Sequence, residues 1–302
     1  MAPKSKVAII GGAGNVGAAI AFALVVMQIP AEVLLVDVTE EVAKGQALDI
    51  SDAAHLSCAK CRVGTFEEAG QADVIIITAG ARQNPGESRS NLIDRNYAIL
   101  KSIITKISPI KPTAIILMVS NPVDILTSIA QKLTGLPKNH VLGSGTFLDS
   151  GRLRNHLSNL LKISSSSIHA NMLGEHGDSQ FVGWSTATIA GAPLLDHPIM
   201  ENIDLDKVEK EIANKAYSII DAKGSTYFGI GMHVAVLTRS ILNNDLRVFP
   251  VSNYHEEYDT YLSLPAVVGA SGASRVDIQL NSRERTLLQE SAKKIKDICD
   301  KY

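Results

Sequence analysis

The first half of the chain repeats one texture, in which short and nearly unbroken apolar runs alternate with stretches of helical periodicity. The runs are VAIIG at 7–11, VLLVD at 33–37, DVIIIT at 73–78, AIILMV at 114–119 and HVLG at 140–143. Strands without polar alternation are covered on both faces, the condition of a parallel sheet wrapped by crossover helices. Helices are predicted near 14–27, 39–52, 87–107 and 122–133, the second opening on the capping-type TEE and the last on NPVD. Residues 1–143 therefore read as a doubly wound α/β domain.

After Gly143 the pattern loosens. A helix near 147–161 is followed by a serine-rich turn at 164–167 and by strand-like runs in IHANML and QFVGWSTATI. Helical periodicity returns at 205–220 and 226–243, with apolar strands near 246–252 and 261–268. In the last helix Leu288, Ala292, Ile295 and Cys299 recur every three or four residues, so one stripe packs on the body. The expectation is an α+β second domain over 144–302, with a helix near 229–245 packing back on the first. Nothing reads as a linker, so the two lobes share a seam.

Composition narrows the partners. With 302 residues, 45% hydrophobic, 20% charged and a net charge of −2, the chain is an ordinary globular protein without the basic stripe of a nucleic-acid binder. The apolar run at 18–29 is shorter than the roughly 20 residues of a membrane span, and the opening lysines lead into too few apolar residues for a signal peptide. Three cysteines make no disulfide framework, which suits the reducing cytoplasm. The CAKC at 58–61 lacks a second ligand pair, so no metal is expected.

GAGNVG, Gly12 to Gly17, matches G-x-G-x-x-G and sits where the motif has meaning, between an apolar strand and an apolar helix. Gly12 would permit the tight turn, Gly14 would admit a pyrophosphate, and Gly17 would let helix and strand pack closely. The helix start at Asn15 and Val16 would offer free N–H groups to the phosphates. Asp37, 20 residues past Gly17, can accept hydrogen bonds from a free ribose 2′-hydroxyl, so NAD is favoured over NADP. The plainer reading of Asp37 is a strand-end acid serving as a helix cap.

Four polar clusters remain: GARQNPGESRSN at 80–91, VSNPVD at 119–124, LDSGRLR at 148–154 and NMLGEHGDSQ at 171–180. Each has a dull reading as solvated loop or surface ion pair. Together they supply arginines for an anionic substrate, a histidine for proton transfer and a carboxylate to orient it.

With GSGTFLDSGRLR, GEHGDS and KGSTYFGI in the same order, the chain resembles the L-lactate/malate dehydrogenase family over essentially its whole length. The resemblance implies a Rossmann domain plus a catalytic domain, NAD as cofactor and hydride transfer to a small 2-oxo acid. It implies His176 as proton donor and acceptor, Asp149 as its orienting carboxylate, Arg152 on the substrate carboxylate and Arg89 polarising the carbonyl from a closing lid. Asn121 and Thr226 would line the nicotinamide and substrate pocket, and Thr78, Ala79, Gly80, Asn96 and Val119 would line the cofactor site. Gln83, six positions before Arg89, occupies the position that reads the substrate side chain. A neutral group there favours pyruvate and L-lactate over oxaloacetate and malate, although the adjacent Arg82 would reverse this if the lid shifted by one residue. A broader 2-oxo acid specificity and a non-catalytic NAD-binding module are the other readings. The resemblance also implies a homotetramer, without the long N-terminal arm of some relatives. Arg154 and His169 fall where some bacterial relatives bind fructose 1,6-bisphosphate, and read by default as interface residues.

Overall fold

The computed structural model describes residues 5–81 and 89–302, with the side chain of Arg89 outside the described set. The first half runs β1 (Ser5–Ile10), α1 (Asn15–Val26), β2 (Ala31–Val36), α2 (Glu40–Ala54), β3 (Lys60–Val63), α3 (Phe66–Gly70), β4 (Val74–Ile77), α4 (Arg89–Ile107), β5 (Ile115–Met118), α5 (Val123–Thr134) and β6 (Val141–Gly143). The second runs α6 (Phe147–Leu161), the two-residue strands β7 (Ile168–His169), β8 (Met172–Leu173), β9 (Phe181–Val182), β10 (Thr188–Ile189) and β11 (Ala192–Pro193), then α7 (Leu205–Lys223), α8 (Phe228–Asn243), β12 (Arg247–His255), β13 (Thr260–Gly269), β14 (Gly272–Arg275) and α9 (Ser282–Cys299).

Among the described residues the main sheet has nine strands in the order β14-β13-β12-β6-β5-β4-β1-β2-β3. β1 to β6 pair in parallel. The order reverses between β1 and β4, and at such a switch point the loops at the carboxyl ends diverge and leave a crevice. The apolar runs are strands because both faces are covered: every residue of β4 and β5 is buried. One face packs α4, α5 and α9, the other α1, α2 and α8. The contact of α8 with α1 is close, since a Cβ on Gly231 would meet the Ala19 backbone carbon at 2.9 Å. A third core of Leu153, Leu157, Met172, Trp184, Val208 and Ile212 fills the second lobe.

Three differences from expectation have physical causes. β3 was not anticipated because it is an edge strand with alternating exposure, so KCRV makes no apolar run. The runs IHANML and QFVGWSTATI break into two-residue strands and a helical turn, too short for period alone to resolve. The strands near 246–252 and 261–268 lengthen to β12 and β13 and extend the first-half sheet antiparallel, β12 joining β6 at Ser252 and Gly143. The α9 stripe packs as expected, with Leu288, Ala292, Ile295 and Cys299 all buried. Among the described residues no helix is long and apolar enough to cross a membrane.

Candidate active site

The glycine turn comes first. Its left-handed residue is Gly11, at φ +92°, one position before the motif glycine expected to make the turn. Gly12 is needed instead for packing, because a Cβ there would sit 2.8 Å from Leu35 Cβ. Gly17 has the same role, with a Cβ placed 2.4 Å from the Gly11 carbonyl oxygen. Around Gly14 the nearest atom to an added Cβ is that oxygen at 3.4 Å, so one side of the turn is open. α1 starts at Asn15 with no side chain capping it, which leaves the N–H groups of its first turn and the positive end of its dipole for an anion.

The adjoining cleft holds about 510 Å³ and is lined by Gly11, Asp37, Ala79, Gly80, Ala81 and Ile99, among others. Asp37 accepts N–H groups from Ala13 at 3.1 Å and Thr39 at 3.0 Å, so it both steadies the loops and faces the cleft. The Thr78 hydroxyl braces the turn through the Ile10 carbonyl at 3.0 Å. Asn96 is buried and uses its amide on backbone, accepting from Ala81 N–H at 2.7 Å and donating to the Asn121 carbonyl at 2.9 Å. It therefore bears on the cleft through the two loops that it ties. Val119 lies half-buried and Asn121 exposed at the end of β5. Asn15 Nδ2 approaches Ser225 Oγ at 3.5 Å, which brings the loop carrying Thr226 to the glycine turn.

Next to the β5 end stands the histidine. His176 Nδ1 is 2.7 Å from Asp149 Oδ2, and the other carboxylate oxygen accepts from Arg152 Nη1 at 2.8 Å. Asp149 and Arg152 occupy successive turns of α6, and both are buried. The main-chain N–H of His176 donates to Asp124 Oδ2 at 2.7 Å. Burial by itself lowers the affinity of His176 for a proton. The charge of Asp149, its hydrogen bond and the charge of Asp124 outweigh that, so the pKa sits above the ordinary value. Burial opposes ionisation of Asp149 as well, but the charge of His176 and its hydrogen bond prevail, with Arg152 adding to them, and hold the carboxyl below its usual range. Desolvation dominates at Asp124 and pushes it up to about 6.

Gln83 and Arg82 lie outside the described residues, as does the Arg89 side chain, although the Arg89 backbone opens α4. Arg154 binds the Ala170 carbonyl at 2.9 Å and Asn171 Oδ1 at 2.7 Å, while His169 is exposed.

Comparison with known proteins identifies the family. The profile of the lactate/malate dehydrogenase NAD binding domain matches residues 5–143, and that of the lactate/malate dehydrogenase alpha/beta C-terminal domain matches residues 146–302. The chain belongs to the lactate/malate dehydrogenase family. L-lactate dehydrogenase A of Rhizopus oryzae is 46% identical over 299 residues, covering 99% of this chain and 93% of that protein. L-lactate dehydrogenase of Limosilactobacillus fermentum is 40% identical, covering 97% of this chain and 95% of that one. Among solved structures, a lactate dehydrogenase from a Medee basin deep-sea metagenome library superposes with a TM-score of 0.91 at 36% identity, covering 98% of each chain. The minor L-lactate dehydrogenase of Enterococcus mundtii gives 0.92 at 35%, again covering 98% of each.

The cofactor of this family member is NAD(H), and the residues present fit it: an uncapped helix start beside an open glycine turn, and a carboxylate on the wall of an apolar cleft. Two further acids, Asp124 and Glu175, hold the histidine turn and lie outside the residues that the sequence singled out. Glu175 is buried and takes Ser179 Oγ at 2.6 Å and Lys294 Nζ at 2.9 Å, which fastens the histidine turn to α9. Both lie inside quoted motifs, and the signal was their position: an acid embedded in an apolar helix start, and one directly before the histidine.

Proposed function

We propose that the protein is an L-lactate dehydrogenase that interconverts pyruvate and L-lactate. The observation that carries this reading is the Arg152–Asp149–His176 array, in which a buried ion pair backs a half-buried imidazole beside the turn that follows β5. NADH, when bound, supplies the hydride, and NAD takes it up in the reverse direction. The rest of the chemistry falls to the chain. Asp149 accepts from Nδ1 and so fixes the tautomer, leaving Nε2 to give a proton to the substrate carbonyl oxygen or to take one from the hydroxyl. Arg152 holds the substrate carboxylate, for which its planar fork suits two parallel hydrogen bonds. Arg89 polarises the carbonyl where charge develops, and Asn121 and Thr226 wall the pocket.

Gln83 selects pyruvate, because the second carboxylate of oxaloacetate would be desolvated beside a neutral amide. The division at 143/144 separates cofactor binding from substrate binding. A cytoplasmic homotetramer completes the reading; its self-association is supported by exposed apolar side chains at Phe22 and Val26 of α1, Leu48 of α2 and Phe228 of α8. Steady-state loss of NADH absorbance with pyruvate and with oxaloacetate tests the substrate, and His176→Asn, which should bind NADH without turnover, tests the acid. A higher kcat/KM for oxaloacetate would overturn the assignment to lactate.

A further inference from the structure

His176 is held at two ends by two carboxylates from opposite lobes. Asp149 reaches the ring from α6, and Asp124 reaches the main-chain N–H from the first turn of α5. Asp124 follows Asn121 by three residues, so a single strand-to-helix turn carries an exposed Asn121 and a buried acid at the histidine. Asn96 fixes the same turn by donating to the Asn121 carbonyl at 2.9 Å. Any displacement of this turn therefore displaces both groups. On its other side Asp124 Oδ1 faces Ser263 Oγ at 3.5 Å. That hydroxyl accepts the Thr146 N–H at 3.1 Å, one residue before α6 begins, and the Ser263 backbone pairs with Gly174 in both directions at 2.9 Å.

We propose that Asp124 is a positioning residue of the proton-transfer step, setting the place and proton affinity of His176 from the cofactor-binding lobe. This rests on the reading of His176 as the acid. An asparagine would accept the same N–H without the cost of burying a charge, so the anchor alone does not account for a carboxylate. Its charge does, because a buried negative group near the imidazole favours the protonated ring. The other groups that face the pair are already engaged or distant from this role. Asp149 is shared between His176 and Arg152, and Glu175 on the histidine turn is paired with Lys294 of α9. His233 of α8 feels Arg152 and Asp149 from the far side, with its own proton affinity lowered by burial. Cys299 of α9 and Lys132 of α5 lie on the Asp124 side.

The test compares wild type with Asp124→Asn, and uses Ser263→Ala as the milder variant should the first not fold. NMR titration of the His176 ring, assigned by its loss in His176→Asn, reads proton affinity without substrate. NADH fluorescence reads the cofactor site, and pyruvate kinetics read turnover. In Asp124→Asn the His176 pKa should fall by roughly half a unit or more. The alkaline limb of kcat/KM for pyruvate should move down with it, kcat should fall about tenfold or more, and NADH affinity should stay within about twofold. Ser263→Ala should shift the ring in the same direction by less. An unchanged ring pKa, or parallel loss of NADH binding and activity, would overturn the proposal and leave Asp124 a structural group. A fall in ring pKa in a protein that reduces no 2-oxo acid would uphold the positioning role while sinking the functional reading.

Discussion

Asp149 and His176 meet across 2.7 Å with opposite exposures: the carboxylate side chain is 2% accessible and the imidazole 26%. A dry acid behind a ring with one open edge commits Nδ1 inward and leaves Nε2 for a substrate. Asp149→Asn removes the charge and offers the ring either a donor or a weaker acceptor, so kcat should fall about 10²–10⁴-fold with NADH binding retained. Its second effect has a definite sign. Asp149 raises the His176 pKa, and with His176 as the proposed acid, pyruvate reduction needs the protonated ring. The variant should therefore lose activity at a lower pH than wild type as pH rises, which a pH profile of kcat/KM measures.

The same pair makes a stability prediction. The folded-state pKa of His176 is raised, so its contribution is fully present below the unfolded value of about 6.5 and is lost as pH rises through the folded value. That of Asp149 is lowered, so its contribution is present above about 3.9 and is lost as pH falls through its folded value. Their stabilising effect overlaps most in mildly acidic solution. Thermal melts of wild type and His176→Asn should differ most there and converge toward alkaline pH. A difference that grows with pH would contradict the assigned directions.

These predictions depend on residues that the sequence displayed unequally. β1, β2, β4, β5 and β6 were legible because burial on both faces leaves an apolar run, whereas β3 at the sheet edge shows only alternation. His176, Asp149 and Arg152 stood out because charged groups in compact motifs invite a chemical explanation. Asp124 did not, since an acid in the first turn of a helix is ordinary and its partner is a backbone N–H 52 residues away. The glycine motif showed which residues were small but not why: the positive φ belongs to Gly11, outside the pattern, while Gly12 and Gly17 serve close packing.

Packing at the glycine turn is testable alone. A methyl at Gly17 meets the Gly11 oxygen at 2.4 Å, a backbone atom that cannot move without shifting the turn. Gly17→Ala should cost about 1–3 kcal/mol of stability and weaken NADH binding, because α1 must move away from the phosphate position. Chemical denaturation and NADH titration measure the two effects. Gly14→Ala, whose methyl meets the Gly11 oxygen only at van der Waals distance, 3.4 Å, should weaken NADH binding with less loss of stability.

On the proposed reading, Asp37 joins cofactor choice to loop structure. Its carboxylate faces the cleft while accepting from Ala13 and Thr39. Asp37→Ser removes the negative charge that a 2′-phosphate would meet, so the kcat/KM ratio of NADPH to NADH should rise about tenfold or more. The two N–H groups lose a charged acceptor, and Tm should fall by a few degrees, corresponding to about 1–2 kcal/mol. An unaltered cofactor ratio with a lowered Tm would mean that the acid serves the loops only.

On the proposed reading, substrate choice rests on Gln83, six positions before Arg89. Gln83→Arg would supply a cation for the second carboxylate of oxaloacetate and would leave the methyl of pyruvate beside a desolvated charge. The two effects act in opposite directions on the two substrates, so their ratio is more sensitive than either rate. An ion pair in an enclosed pocket supports a swing of several kcal/mol, so the kcat/KM ratio of oxaloacetate to pyruvate should rise about a hundredfold or more. His176, Asp149 and Arg152 are untouched by the change, and kcat with the preferred substrate should stay within about tenfold of wild type. If Arg82→Gln rather than Gln83→Arg altered the ratio, the lid would present Arg82 to the substrate, and the chain would read as a malate dehydrogenase.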